Sequence, residues 1–157
     1  MLPGPNIIPV ACLVLIDSEG NLLATQRGEG KALPGLWEFP GGKIEKGETP
    51  ETALRRECLE ELHLPLGELQ PLPKASHPYP FGTVILHPFL AKCQTRPALT
   101  LTEHLASCWI PLHEWPNLGW APADIPVLEE LVEGRDRWFV LKMLFDNQLV
   151  KRQWPLG

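Results

Sequence analysis

The chain has 157 residues, of which 44% are hydrophobic and 21% charged, and its formal net charge at pH 7 is -5. This size and balance suit a single globular domain over 1–157, built around one packed core. Because no cluster of lysines or arginines offsets the negative charge, binding of long nucleic acid by counterion release is excluded. No apolar run reaches the roughly 18 residues that span a bilayer, which also excludes a membrane protein.

The first ten residues, MLPGPNIIPV, lack the basic segment and cleavage site of a secretion signal. The four cysteines are scattered along the chain, without the spacing of a zinc site or a redox pair, so we expect reduced thiols. The sequence therefore predicts a cytoplasmic protein. It does not fix the oligomeric state, although a monomer is favoured.

The chain begins with a predicted β-hairpin. Residues Ile7 to Ile16 are almost continuously apolar, 17–21 supplies turn-forming residues, and Leu22 to Gln26 resumes a strand-like run. Small, charged and turn-forming residues then predict a loop over 28–35, followed by a short extended segment over 36–39.

A helix is predicted next, because its start and stop signals are both present. Thr49 is a favourable N-cap, Pro50 suits the first helical position, and Glu51 complements the helix dipole. Pro65 cannot comfortably continue a helix, so we expect the helix to end near Leu62.

The next segments alternate between strand and loop patterns. Residues 66–76 and 83–93 are predicted strands, separated by the proline-rich aromatic stretch 77–82, and Ala106 to Ile110 predicts a further strand. The histidines of this half, including His104, have no metal-ligand spacing and are interpreted as structural or surface residues.

The last predicted element is a second helix over Pro122 to Glu133, where apolar residues recur at near-helical spacing. The tail 134–157 stays unassigned, because its segment Trp138 to Phe145 suits a helix or a strand equally well.

Three acids of the first helix crowd one face. At 100° per residue, Glu57, Glu60 and Glu61 fall within a sector about 100° wide. The neighbouring sector is an apolar stripe that should pack on the sheet: Leu54, Cys58 and Leu62. Like charges at the edge of a buried face repel, and no lysine lies between them, so a hard cation such as Mg²⁺ bound with phosphate is the natural partner. The alternative is an ordinary solvated acidic face.

The residues before this helix favour the metal site. The Pro-Gly-Gly sequence allows backbone geometry that can turn the Gly41 carbonyl towards a metal ion. Gly47 lets the chain bend back, so that Glu48 can meet the helix acids or Arg56. The Arg56 guanidinium can hold a carboxylate through two hydrogen bonds and fix its direction.

The segment 42–64 resembles the Nudix box G-x5-E-x7-R-E-U-x-E-E-x-G-U, in which U is a bulky apolar residue. Seven positions match the pattern: Gly42, Glu48, Arg56, Glu57, Glu60, Glu61 and Leu64. Cys58 replaces a bulky apolar residue and His63 replaces a glycine, and neither change removes a candidate metal ligand. The resemblance covers about 7–132 and implies the Nudix fold of the α/β class, an α/β/α sandwich with a mixed β-sheet.

The resemblance extends outside the box. GLWEFPGGKIEKGETPETALRRE is similar to the MutT-like branch, and APADIPVLEEL over 121–131 is similar to the base-facing segment of pyrophosphohydrolases for oxidised purine and pyrimidine triphosphates. Glu103, which precedes Trp109, matches a further acid of the metal site. Arg27 matches a phosphate-binding position and Asp124 a base-binding one. Lys43 is a further candidate for phosphate, and Phe39, beside Pro40, for the base pocket. Each has an ordinary alternative: surface ion pairs, core packing, and a helix cap for Asp124.

The resemblance implies a Mg²⁺-dependent enzyme, with Mn²⁺ as a substitute, that cleaves a nucleoside triphosphate to the monophosphate and pyrophosphate. Its metal ligands would be Gly41, Glu57, Glu60, Glu61 and Glu103. Glu57 is the leading candidate for the base, oriented with the other acids by Glu48 and Arg56.

The resemblance determines the type of reaction more closely than it determines the substrate. Oxidised dGTP and CTP are the leading candidates because of the 121–131 segment, which would make the enzyme one that sanitises the nucleotide pool. ADP-ribose and dinucleoside polyphosphates stay open, because Pro78, Tyr79 and Pro80 lie near positions that are diagnostic in those subfamilies. From another class, the domain could be a non-catalytic nucleotide sensor or part of a DNA-repair protein.

Overall fold

The computed structural model describes residues 6–133. The tail 134–157, including Trp138 to Phe145, lies outside the described residues. The described elements in chain order are β1 (Ile7–Ile16), β2 (Asn21–Gln26), β3 (Trp37–Glu38), β4 (Gly41–Lys43), α1 (Pro50–Leu62), β5 (Gln70–Pro71), β6 (Ala75–Tyr79), β7 (Gly82–Lys92), β8 (Ala106–Pro111), two short 3-10 helices (Leu112–Asn117 and Pro122–Asp124) and α2 (Ile125–Glu133). In this range no helix is long and apolar enough to cross a membrane.

The strands form one mixed sheet in the order β3-β2-β1-β7-β5, with β4 paired to β1, β6 to β7 and β8 to β2. Strand β1 runs parallel to β7 from the pair Ile7 and Thr83 to the pair Ile16 and Lys92, whereas the other strand pairs are antiparallel. Parallel neighbours need a long crossover connection, and helix α1 lies within it. The mixed sheet that the sequence predicted is confirmed.

Each face of the sheet is covered by its own hydrophobic core. Successive side chains of a strand point to opposite faces, so Leu13 of β1 packs with helix α1, and Val14 packs with helix α2. The α1 core contains Ala53, Leu54, Cys58 and Leu62, which is the predicted apolar stripe. The α2 core contains Val127, Leu128 and Leu131. Helices on both faces make the three-layer α/β/α arrangement, as predicted.

Helix α1 has the predicted ends. The Thr49 side chain accepts a hydrogen bond from the Thr52 N–H at 3.1 Å, and Pro50 is the first helical residue. At the other end His63 is left-handed, with φ 53°, and its N–H donates to the Leu59 carbonyl at 3.1 Å. A residue other than glycine therefore takes the left-handed backbone conformation that glycine adopts most readily.

The strand predictions around residue 76 were wrong in their bounds. In the predicted strand 66–76, the structure has strand only at Gln70–Pro71 and again from Ala75. The proline-rich stretch, predicted as a loop, continues β6 to Tyr79 and leaves a turn of only two residues. Strand β6 pairs with β7 alone, and Pro78, which lacks an N–H, is tolerated on such an edge strand.

The strands β1 and β2 also pair over a shorter stretch than the predicted hairpin implied. The two strands pair at Ile16 and Leu22, but β4 occupies the edge of β1 at Val10 to Cys12. Strand β2 instead pairs with β8 along all six of its residues. Strand β4 was not predicted, because its sequence Gly-Gly-Lys has no strand propensity.

Candidate functional site

A cavity of about 540 Å³ opens where α1, the loop 28–35 and the central strands meet. Part of its lining is acidic and comes from Glu57 and Glu61 of α1 and from Glu103. The other part is apolar and belongs to the core on the α2 side, with Phe39 and Val84 among its residues. One cavity therefore joins an acidic surface to an apolar one, and a ligand with an anionic group and an aromatic ring would bind there only together with a cation.

The three helix acids differ in burial. The side chains of Glu57 and Glu61 are 14% and 13% exposed, whereas that of Glu60 is 59% exposed. Glu57 and Glu61 line the cavity, and Glu60 is not among its lining residues. The helical-wheel prediction therefore agrees with the positions of Glu57 and Glu61, which lie at the border of the buried face. Glu60 lies on the solvent side of that border.

Gly42 allows strand β4 to pass Glu57. A Cβ at this position would lie 2.3 Å from Glu57 Cδ and 2.5 Å from its Oε2, closer than real Cβ contacts come. At Gly41, which has φ 149°, a Cβ would lie 2.0 Å from the Ala11 carbonyl oxygen. Both glycines are therefore required by close packing, and both line the cavity.

Arg56 is the centre of a network of acids. Its Nε donates to Glu48 Oε2 at 2.7 Å and its Nη2 to Glu48 Oε1 at 2.8 Å, which is the predicted two-bonded pair. Its Nη1 donates to Glu57 Oε1 at 3.0 Å and to Glu60 Oε2 at 3.3 Å. The Arg56 guanidinium lowers the pKa of Glu48 to about 2. Arg56 therefore keeps Glu48 ionised and fixes one oxygen of Glu57.

A second cation stands beside Glu61 and Glu103. The Nζ of Lys31 lies 3.0 Å from Glu103 Oε2 and 3.9 Å from Glu61 Oε1. Burial, together with the charges of Glu57 and Glu103, raises the pKa of Glu61 to about 8, against the opposing effect of Lys31. The hydrogen bond from Lys31 lowers the pKa of Glu103. A negative charge on Glu61 thus needs a cation nearby.

The donors fit a hard divalent cation, although they are not gathered around one point. Within 6–133, no three His, Cys, Asp or Glu side chains form a ready set of metal ligands. The side chains present are carboxylates, which such cations prefer, and the unfavourable burial of charge at Glu61 is what a bound cation would relieve. In this structure the cations among the acids are Arg56 and Lys31.

The predicted phosphate residues both line the cavity. Arg27 pairs with Glu38 through Nη1, and its Nε donates to the Ala32 carbonyl at 2.6 Å. Lys43 is exposed, and its carbonyl accepts from Arg56 Nη2 at 3.1 Å. Arg27 therefore stabilises the loop 28–35, in addition to any part in binding.

The predicted base residues lie together at the apolar side. Phe39 is 3% exposed and packs against Trp120, with ring centroids 5.4 Å apart. Asp124 is 5% exposed and lines the cavity, and its Oδ2 has no hydrogen-bond partner in the described structure. Burial raises the pKa of Asp124, and the charge of Glu38 adds to this effect. Asp124 directly precedes helix α2, at the position that the capping alternative requires.

Three residues of the cavity were missed by the sequence analysis. Glu38 bonds to His104 Nε2 at 3.1 Å, and His104, whose side chain is 4% exposed, also lies 3.9 Å from Glu61 Oε2. The interpretation of His104 as a plain structural or surface residue was incomplete, since it is buried in the cavity lining. Tyr79 accepts a hydrogen bond from the Ala123 N–H at 2.9 Å and stacks on Phe81. Adjacency to Glu103 was the signal that could have identified His104.

Comparison with known proteins places the chain in a family. The NUDIX domain matches residues 6–131. An 8-oxo-dGTP diphosphatase of Proteus vulgaris is 37% identical over 99 residues, which are 63% of this chain and 86% of that protein. A CTP pyrophosphohydrolase of Escherichia coli (strain K12) is 36% identical over 124 residues, which are 77% of this chain and 89% of that protein.

Solved structures agree in fold. The solution structure of the E. coli ORF135 protein superposes with a TM-score of 0.70 at 30% identity, covering 83% of this chain and 92% of that one. The crystal structure of the MutT protein from Methanosarcina mazei Go1 gives a TM-score of 0.76 at 19% identity, covering 86% and 99%. Three of the box residues, Gly42, Glu57 and Glu61, line one cavity. The domain match spans 6–131, and the chain belongs to the Nudix hydrolase family.

Proposed function

We propose that this Nudix hydrolase cleaves a nucleoside triphosphate to the monophosphate and pyrophosphate, with Mg²⁺ as its cation and Mn²⁺ as a substitute. The observation that carries the proposal is the cavity itself, which joins buried carboxylates at Glu57 and Glu61 to an apolar pocket containing the unpartnered Asp124. Nudix hydrolases generally need a divalent cation, and the named activities of the similar proteins are triphosphate pyrophosphohydrolysis.

The proposed metal ligands are the carbonyl of Gly41 and four carboxylates: Glu57, Glu60, Glu61 and Glu103. When bound, the cation would neutralise phosphate oxygens and make a nearby water more acidic. Glu60 can join only by turning from its contact with Arg56, because it does not line the cavity. The carboxylates at the cavity wall, Glu57 and Glu61, are thus the core of the proposed set.

The chain's own catalytic groups act on the attacking water. One oxygen of Glu57 is held by Arg56 at 3.0 Å, and its Oε2 lies towards Gly42 at the cavity wall. We assign Glu57 as the base that takes a proton as the water oxygen bonds to phosphorus and the bond to the leaving phosphate oxygen breaks. Glu48 acts through Arg56, because their two hydrogen bonds fix the guanidinium that positions Glu57.

The substrate proposal is a modified or ordinary nucleotide, with 8-oxo-dGTP and CTP as the leading candidates. Phe39, backed by Trp120, supplies a flat apolar wall for a base. Asp124 supplies a buried polar atom without a partner, and such an atom gains most from a base that hydrogen-bonds to it. Arg27 and Lys43 line the same cavity and are assigned to the phosphates.

The test is a substrate screen with purified protein, in which chromatography separates the nucleoside monophosphate formed and pyrophosphate release is distinguished from inorganic phosphate release. The panel contains 8-oxo-dGTP, the ordinary nucleoside triphosphates, ADP-ribose and a dinucleoside polyphosphate, each with Mg²⁺ or Mn²⁺. We expect pyrophosphate from a triphosphate, and a loss of roughly 100-fold or more in Glu57→Gln, as for removal of a general base. Glu51→Gln is the control, because Glu51 is an exposed helix acid that does not line the cavity.

Two results would overturn the proposal. A Glu57→Gln variant with nearly wild-type turnover would remove Glu57 from the chemistry. Tight nucleotide binding without cleavage of any compound in the panel would identify the domain as a nucleotide sensor.

A further inference from the structure

We propose that Lys31 is a resident counter-cation of the acidic site, which the divalent cation displaces from Glu103 and Glu61 and which then binds a substrate phosphate. The proposal rests on the proposed function for the identity of the cation and of the substrate. It concerns a residue of the loop 28–35 that neither the Nudix box nor the predicted phosphate residues include.

The first support is the position of the ammonium group. Lys31 Nζ lies 3.0 Å from Glu103 Oε2 and 3.9 Å from Glu61 Oε1, so a single positive charge bridges acids from two separate segments. Those two carboxylates are among the proposed metal ligands. A divalent cation that binds both must take the place of the ammonium, because two cations cannot share the same oxygens at these distances.

The second support is the construction of the loop. Its base is fixed, because Arg27 Nε donates to the Ala32 carbonyl at 2.6 Å and the Gly35 N–H donates to the Arg27 carbonyl at 2.9 Å. Gly28 packs so closely on the backbone of residue 103 that an added Cβ would lie 2.4 Å from the backbone carbonyl oxygen of Glu103. The tip, 29–32, is exposed. The Lys31 N–H also donates to the Gly28 carbonyl at 3.2 Å, so Lys31 reaches the acids with a long, exposed side chain from a loop whose backbone is held in place.

The third support is the weakness of the contact to be replaced. The Lys31 side chain is 48% exposed and that of Glu103 is 51% exposed, and ion pairs so open to water contribute little stability. A divalent cation on the same carboxylates has twice the charge and no side chain to immobilise. Once displaced, the ammonium still lines the cavity that must hold the phosphates, where a lysine acts as a mobile point charge.

The direct test is metal affinity without nucleotide. Mn²⁺ binding is measured by electron paramagnetic resonance of the free ion, for the wild type and for Lys31→Gln. Because the variant lacks the competing ammonium, we expect its Mn²⁺ affinity to rise roughly two- to fivefold. Lys43→Gln is the matched control: it removes the same charge from the same cavity without breaking an ion pair to Glu61 or Glu103. Lys74→Gln, at an exposed residue that does not line the cavity, controls for the change in net charge.

The second readout is hydrogen exchange of the loop amides 29–33. In the wild type, Mn²⁺ should accelerate their exchange, because the Lys31 contact is lost. In Lys31→Gln the exchange should be fast already and should not respond to Mn²⁺. An affinity of Lys31→Gln no higher than that of Lys43→Gln, or wild-type loop exchange unchanged by Mn²⁺, would overturn the proposal. Neither readout needs turnover, so a failure of the proposed substrate leaves the test intact.

Discussion

Gly42 sets how closely strand β4 approaches the helix acids. A methyl group there would lie 2.3 Å from Glu57 Cδ, and the atoms it meets are the end of a flexible side chain. We therefore expect Gly42→Ala to fold, at a stability cost of about 1 kcal/mol, while kcat/KM falls roughly 100-fold because Glu57 is displaced. The measurement is kcat/KM together with the thermal midpoint Tm.

Gly30→Ala is the matched control for this substitution. An added Cβ at Gly30 meets nothing within 4 Å, so both activity and Tm should stay close to the wild type. If Gly42→Ala retains wild-type kcat/KM, the position of Glu57 is not what determines the rate.

Burial of the Asp124 carboxyl lowers the stability of the fold. Its proposed function in base recognition would explain why the residue is present. It is 5% exposed, one oxygen has no partner, and burial raises its pKa. We expect Asp124→Asn to have a higher Tm, because the amide needs no buried charge and still accepts from the Phe39 N–H. The same change should alter the ratio of kcat/KM for 8-oxo-dGTP and CTP by about tenfold, as expected for the loss of one charged hydrogen bond. An unchanged ratio would remove Asp124 from base recognition.

At the scale of elements, the C-terminus of helix α1 is strained at one residue. His63 has φ 53°, where a Cβ is unfavourable and glycine is not. We expect His63→Gly to raise the free energy of unfolding by about 0.5–1 kcal/mol in urea titration. His113→Gly serves for comparison, because His113 is exposed and its φ is not positive, and that variant should be slightly less stable. Equal effects of the two changes would show that the left-handed cap carries no strain.

The turn between β1 and β2 is held by a buried carboxylate. Asp17 accepts from the Asn21 N–H at 2.8 Å and from Arg96 Nε at 2.8 Å, and the Arg96 guanidinium lies 5.1 Å from the centre of the Trp109 ring. Burial raises the pKa of Asp17, but the hydrogen bonds from Asn21, Arg96 and Glu19 outweigh it, so that the pKa lies below the ordinary 3.8. Through its hydrogen bond from Arg96, Asp17 thus connects the β1–β2 turn to the segment that leads to Glu103.

The lowered pKa of Asp17 makes the free energy of unfolding depend on pH. A carboxyl with a lowered pKa in the folded state stabilises the fold above the ordinary value of 3.8, and the stabilisation is lost as the pH falls through the folded pKa. At pH 7 we expect Asp17→Asn to be less stable by about 1–2 kcal/mol, and the difference should shrink below pH 4. Urea titrations at several pH values measure this. Glu19→Gln, at an exposed neighbour, should differ little from the wild type at every pH.

Local chemistry explains which elements the sequence could predict. Helix α1 was predicted with its start at Pro50 and its end near Leu62, because Thr49, Pro50 and the apolar stripe act within a few residues of one another. Strand β6 was not, because its pairing to β7 outweighs a proline-rich composition, and such pairing is a property of the sheet. Strand β4 likewise exists because β1 offers it an edge.

The contacts of the candidate site likewise divide into those that the sequence could predict and those that it could not. Glu48 was predicted to reach the helix acids or Arg56, and it accepts two hydrogen bonds from Arg56. The hydrogen bond from Arg56 to Glu57 was not predicted. The contacts of Lys31 and His104 were not predictable, since each joins segments that are 30 or more residues apart in the sequence. The assignment of metal ligands stays a prediction.

At the scale of the whole molecule, the site lies where several layers meet, so a bound cation should stabilise the entire fold. Its proposed ligands come from helix α1, from β4 at Gly41 and from the segment at Glu103, and the two helix acids at the cavity wall repel each other. A ligand that binds only the folded chain stabilises it by mass action, by about 2.7 kcal/mol at 100 times its Kd. For a domain of this size, each kcal/mol raises Tm by roughly 2–4 °C.

We therefore expect Mg²⁺ to raise the Tm of the wild type in scanning calorimetry, at an ionic strength held constant with NaCl. Glu57→Gln combined with Glu61→Gln should abolish this rise, and should itself increase the Tm of the metal-free protein, because it removes the repulsion between two buried carboxylates. Glu51→Gln combined with Glu129→Gln changes the charge equally at exposed helix positions, and should keep the full response to Mg²⁺. A Mg²⁺ response that survives in the first double variant would mean that these two acids do not hold the cation, and the metal site would then have to lie elsewhere.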